Sequence, residues 1–156
     1  MLPTGRIALV GRCATLNDEV ALALGAAGLG QSAAIALGDE GLLGLGYPHW
    51  LQFLQGDERT DAVVLSGQAS ESAEAEAAHY IARNINKPVV AYLVGRHAQL
   101  SRRYRDATAI ASAHLSYTAL NSDTNASILA AFGEAQIPLA DSPAGIAEQL
   151  RKILFP

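Results

Sequence analysis

Few residues in this chain can do chemistry. There are 4 histidines (His49, His79, His97 and His114) and 1 cysteine, Cys13. An imidazole can serve both as nucleophile and as leaving group near neutral pH. Cys13 stands in Gly11-Arg12-Cys13-Ala14-Thr15, a short turn between an apolar run and a helix-like stretch. In an α/β domain such a turn points helix N–H groups, and the positive end of the helix dipole, at an anion beyond the strand. A thiol at a helix start can be acidified and reactive. The commoner role of a lone cysteine is that of a small buried hydrophobe. Arg96, His97, Arg102, Arg103 and Arg105 form a basic cluster that can bind phosphate or carboxylate, or simply face solvent. His79 in mid-helix, and His49 with Trp50 at a helix start, read as structural, with Trp50 packed on the sheet. Asp39 and Glu40 have no further acids nearby and read as a cap pair, not a metal site.

The elements that must position these groups alternate along the chain. Residues 7–10, 31–37, 62–65 and 88–94 are apolar runs of strand length, and 137–139 is a short last one. Residues 16–27, closed by Gly28 and Gly30, and residues 48–55 have helical character, with Pro48 suited to a first turn. Residues 71–84 place Ala73, Ala77, Ile81 and Ile85 on one helical face. A helix is expected over 125–135. Another follows the Ser142-Pro143 cap, with Ile146, Leu150 and Leu154 inward. The pattern predicts an α/β fold: a three-layer, flavodoxin-like or Rossmann-like, mainly parallel sheet with helices on both faces. Ligands of such sheets bind outside the carboxyl ends of the strands. Those ends are residues 11–15, 38–40, 67–70 and 95–105. Residues 41–46 form a Gly-rich loop, and residues 95–121 are long and irregular, as functional loops often are.

Composition narrows the classes further. A chain of 156 residues makes one domain, 1–156, with a core of its own. Half its residues are apolar and 17% are charged, as buried parallel strands require. A net charge of -4 with no basic run argues against nucleic acid. No apolar stretch approaches the roughly 18 residues that span a membrane. The start lacks a basic region followed by an apolar core, so a cytoplasmic protein is expected. There is no Walker loop, no Gly-x-Gly-x-x-Gly after the first strand and no metal-spaced Cys/His set.

Four ordered pieces carry a family likeness. Gly5-Arg6-Ile7-Ala8-Leu9-Val10 with Thr15-Leu16 resembles a strand and Ser-Gly-Thr-Leu turn. Gly28-Leu29-Gly30-Gln31-Ser32 with Ala36-Leu37-Gly38-Asp39 resembles a second strand ending in Gly-Gly-Asp. Val63-Val64-Leu65-Ser66-Gly67-Gln68 resembles a strand ending in Gly-Glu. Asn86-Lys87-Pro88-Val89-Val90-Ala91-Tyr92, Gly95 and Ser101-Arg102-Arg103 resemble a Lys-Pro-Val strand and a Gly-Arg-Arg preceding an active histidine. Together they resemble the C-terminal, flavodoxin-like domain of the succinyl-CoA synthetase alpha subunit. Nucleotide-forming acyl-CoA synthetases and ATP-citrate lyase carry the same domain. The resemblance implies a ligase with a phosphohistidine relay. A nucleotide phosphorylates a histidine, the phosphoryl group passes to a carboxylic acid, and coenzyme A attacks the acyl phosphate. ATP or GTP, Mg and coenzyme A are implied through CoA-binding and nucleotide-grasp domains or subunits, none being bound by this domain itself. A carboxylic acid or phosphate is the implied ligand.

Under that resemblance the phosphate-binding turn falls on Cys13, Ala14 and Thr15, and the histidine-steadying turn on Gly67 and Gln68. The family's histidine falls on Asp106 counting from Gly95, and close to His114 counting back from the helix at 125–135. An insertion near 106–113 reconciles the two counts and makes His114 the candidate. Three family positions differ: Asp106, Gln68 for glutamate, and Cys13-Ala14 for Ser-Gly. Two readings stay open. One is a phosphohistidine ligase domain, divergent or inactive. The other is a non-catalytic anion-binding or subunit-assembly module on the same fold.

Overall fold

A computed structural model describes residues 4–38, 45–69, 72–96 and 122–156. Strand β1 (Thr4–Gly11) leads to α1 (Ala14–Ala26), β2 (Gln31–Ala36), α2 (Tyr47–Gly56) and β3 (Ala62–Gln68). Then come α3 (Ser72–Asn84), β4 (Val89–Val94), α4 (Ser122–Glu134) and α5 (Pro143–Leu154). The strands pair in parallel in the order β2-β1-β3-β4.

The apolar runs become strands because both faces of the sheet are covered. Alternate residues go to opposite sides. Ile7, Leu9, Ala62, Val64 and Val90 meet Val20 and Leu24 of α1 and Ile146 and Leu150 of α5. Ala8, Val10, Val63, Leu65 and Leu93 meet Leu51 of α2, Ile81 of α3 and Phe132 of α4. Each fully buried Leu or Ile contributes about 1.5–3 kcal/mol relative to exposure. The expected inner faces of α3 and α5 are found: Ala77, Ile81, Ile146 and Leu150 are buried. Trp50 is partly buried against the cluster containing α2 and α3, edge-on to Phe53 at 6.0 Å. The Ser142 cap is present, with Gly145 N–H donating to Ser142 Oγ at 3.1 Å.

The expected strand at 137–139 is corrected to a single parallel bridge, Ala91 to Leu139. Ala91 N–H donates to Pro138 O at 2.9 Å and Ala140 N–H to Ala91 O at 2.8 Å. Pro138 has no N–H to carry the ladder further. Helix α1 begins at Ala14, two residues before the expected start at 16, so Ala14 and Thr15 belong to the helix and not to the turn. The loop at 41–46 and the stretch at 95–121 lie mostly outside the described residues.

Connection direction places the crevice. The chain leaves β1 for the face of α1, and leaves β3 for the opposite face, that of α3. Two adjacent strands whose continuations diverge leave a gap at their carboxyl ends. Gly11 pairs with Ser66 across that junction.

Candidate functional site at the strand ends

Because Gly11 and Ser66 are paired, the segments beginning at Arg12 and Gly67 leave the sheet side by side. The first enters α1 through Cys13, whose backbone is extended at φ -100° and ψ 118° and whose side chain caps nothing. The first turn holds no acidic residue. The N–H groups at a helix start have no partner within the helix. Here they are left to the dipole's own positive field. Cys13 is half-buried, between a reactive surface thiol and a core hydrophobe, while Ala14 and Thr15 are exposed. The second segment carries buried Gly67 and exposed Gln68.

A buried polar network underlies both segments. Ser66 Oγ donates to Asn17 Oδ1 at 2.6 Å, and Asn17 Nδ2 donates to Ile35 O at 2.9 Å. One asparagine therefore ties α1 to β2 and β3. Gly11 faces this network closely: a Cβ there would fall on Ser66 Oγ and within 2.6 Å of Asn17 Oδ1. Tyr47, also buried, sets its hydroxyl 3.0 Å from Ser66 O and 3.3 Å from Glu74 Oε1. Gln68 N–H points to the same Glu74 oxygen at 3.4 Å. Glu74 is fully buried, and its Oε2 makes no hydrogen bond among the described residues. Burial raises its carboxyl above the ordinary glutamate value, against weaker lowering by hydrogen bonds and the Arg12 charge. Burial also raises the Tyr47 phenol, with Glu74 adding to the effect.

Beside this network lies a cavity of about 490 Å³ lined by Arg12, Leu37, Tyr47, Pro48, His49 and Glu76 among others. Gly38 N–H donates to Arg12 O at 3.0 Å and closes one wall. The cavity sits at the strand ends, where ligands of parallel sheets collect.

The structure thus brings Cys13, Ala14, Thr15, Gly67 and Gln68 to one rim. His114, Asp106, His97 and most of the basic cluster lie outside the described residues. Arg96, the described member, forms an ion pair with Asp141. His79 and His49 are exposed. Among the described residues no group of three or more His, Cys, Asp or Glu could hold a metal ion. No described helix is long and apolar enough to cross a membrane. Asn17, Ser66, Tyr47 and Glu74 escape a motif search. Glu74 had one signal: it stands three and four residues before Ala77 and Ala78, on the buried stripe of α3.

The family model described as the succinyl-CoA ligase like flavodoxin domain matches residues 4–136. The alpha subunit of the ADP-forming succinate–CoA ligase of Aquifex aeolicus is 33% identical over 150 residues, which is 96% of this chain and 47% of that protein. The chain spans about half the length of the curated relatives it matches. Among solved structures, Methanosaeta concilii ATP citrate lyase, in complex with (3S)-citryl-CoA, is similar over 98% of this chain and 25% of that one, with a TM-score of 0.74 at 14% identity. The dinucleotide forming acetyl-coenzyme A synthetase 1 of Ca. Korarchaeum cryptofilum, solved with phosphate and ADP, gives 0.60 at 18% identity over 91% of this chain and 28% of that one. At these identities the structural likeness is one of fold.

Proposed function

The chain belongs to the succinyl-CoA ligase-like flavodoxin domains, and from that membership we propose that it is the phosphoryl-handling domain of a nucleotide-dependent acid–thiol (acyl-CoA) ligase. A phosphoryl group drawn from ATP or GTP, with Mg, is carried on His114 and delivered to a carboxylic acid. Its oxygens rest against the N–H groups at the start of α1, at Cys13, Ala14 and Thr15, with Gly67 and Gln68 flanking them. CoA-binding and nucleotide-grasp domains or subunits supply the other substrates. The observation that carries this reading is the uncapped α1 N-terminus, held beside the Gly67-Gln68 turn at the β1/β3 crevice. Its donors and dipole suit a phosphate, which binds where orphan N–H groups converge.

The test is direct. The protein with its partner domains is incubated with nucleotide labelled in the γ-phosphate, under turnover conditions. Acid-labile label on His114, absent from His114→Ala, is expected. A complex that turns over without labelling His114 overturns the phosphohistidine assignment.

One observation favours the second reading, a non-catalytic anion-binding or assembly module. Gln68 bears no charge, and Glu74, the carboxyl bonded to its N–H, is buried. Neutral Gln68 cannot steady an imidazolium as a carboxylate does. Catalysis restored by Gln68→Glu in an otherwise silent complex counts against this module.

A further inference from the structure

We propose that Glu74 is a positioning residue held as a neutral carboxylic acid, donating its proton to Tyr47 and shaping the Gly67-Gln68 turn, so that anion binding at the rim is linked to its protonation. The linkage half rests on the anion-binding reading above; the proton assignment does not.

Counting protons carries the argument. The Tyr47 hydroxyl has one proton and two oxygens within reach, Ser66 O at 3.0 Å and Glu74 Oε1 at 3.3 Å. Ser66 O is a backbone carbonyl and can only accept. With the Tyr47 proton on that shorter bond, a proton on Glu74 turns the 3.3 Å contact into a full hydrogen bond in place of a shared one. A chain of donors then runs from Glu74 Oε1 to Tyr47 Oη to Ser66 O. Glu74 Oε1 keeps a lone pair for Gln68 N–H, whose 3.4 Å separation suits a neutral acceptor. Oε2 is buried with no partner among the described residues. A carbonyl-like oxygen bears that isolation far better than half of a carboxylate.

Steric fit makes the turn depend on this side chain. A Cβ on Gly67 would stand 2.6 Å from Glu74 Oε1 and 2.7 Å from its Cγ, so turn and carboxyl fill one space. Ionisation would draw Gln68 N–H and Tyr47 O–H toward Glu74, pulling the turn off the rim. It would also set a buried negative charge beneath a bound anion. Among the described residues the charged groups facing Glu74 are few. From the end of β1, Arg12 favours the ionised form, and from α2, Tyr47 faces it. The side of α4 against α3 presents buried Ile128, Ala131 and Phe132. On α3 itself, Glu76 and His79 are exposed.

The experiment follows the Glu74 side-chain carboxyl carbon and the backbone amides of the labelled full chain by NMR from about pH 5 to about pH 8, a range above the ordinary glutamate pKa. The Gln68 amide is expected to titrate in the wild type and to stay fixed in Glu74→Gln. Glutamine keeps the shape and an N–H that can donate to Tyr47. A Glu74 side-chain carboxyl carbon already at its carboxylate position at the acid end, or a Gln68 shift of equal size in Glu74→Gln, overturns the proton assignment. Sulfate, a dianion throughout this range, is then titrated at both ends of it. Wild-type affinity is expected to fall about tenfold toward the alkaline end, one pKa unit of linkage, and to stay level in Glu74→Gln. A level wild-type affinity overturns the linkage. Sulfate that binds at neither pH overturns the anion reading and the linkage with it, while the NMR titration still decides the proton.

Discussion

Ser66 Oγ donates to Asn17 Oδ1 at 2.6 Å, and that bond fixes where α1 begins relative to β3. Asn17 is 4% exposed and spends its other end on Ile35 O, so a single side chain joins three elements under the rim. Asn17→Ala leaves a buried hydroxyl and a partly buried carbonyl without these partners. The expected cost is about 1–3 kcal/mol, read as a lower midpoint of urea unfolding. Sulfate binding at the rim should weaken with it. Unchanged unfolding and unchanged sulfate affinity would remove Asn17 from its role.

Gly67 and Glu74 share one volume. Gly67→Ala should destabilise by about 1–3 kcal/mol through overpacking. In a Glu74→Ala background the added methyl has room, so the two substitutions should be markedly non-additive. Additive unfolding free energies across the four proteins would show that the two sites are independent.

Stability should carry the mark of Glu74 in its pH dependence. Its folded pKa lies above the unfolded value, so the native state holds the proton more tightly. Stability from this group is complete below the ordinary glutamate range and is lost as pH rises through the folded pKa. Partly buried Asp57 and exposed Asp61 and Glu148 act in the opposite sense. Hydrogen bonds from Arg59, Arg6 and Lys152 hold them low, and their contribution is lost as pH falls through those lowered values. Denaturation midpoints measured against pH should therefore fall on the alkaline side in the wild type and less so in Glu74→Gln. Parallel curves would contradict this.

The last helix offers a simpler check. Ser142 Oγ accepts from Gly145 N–H at 3.1 Å, and Ser142→Ala should cost about 1 kcal/mol in thermal or urea unfolding. Ser142→Asn, which can cap as well, should recover most of it. A destabilised Ser142→Asn would mean that the hydroxyl does more than cap.

What could be read from residue order was what sequence neighbours decide. Val63, Val64 and Leu65 spell a buried strand because both sides of it are covered, and Ser142-Pro143 spells a helix start because its bond is local. Cys13 to Thr15 and Gly67-Gln68 were legible as one rim because parallel sheets gather their strand ends. Pairings across the fold were not. Arg96 belongs to a basic cluster by sequence, yet it meets Asp141. Glu74 looks like surface in an Ala- and Glu-rich helix, and only the packing of α2 and α4 on α3 encloses it. Tyr47 was hidden by its neighbour Pro48, which announces a helix start and says nothing of a hydroxyl directed at Ser66 O.

The divergence of the chain at β1 and β3 separates address from occupant. The crevice is fixed by which way two connections turn, and no rim side chain is needed to keep it open. Exchanging Gln68, Cys13 or Ala14 should leave the place of the crevice unchanged. A domain wound this way is free to change its chemistry in place, so surveys of its relatives should find the rim residues drifting while Asn17, Ser66 and the two close-packed glycines, Gly11 and Gly67, hold still.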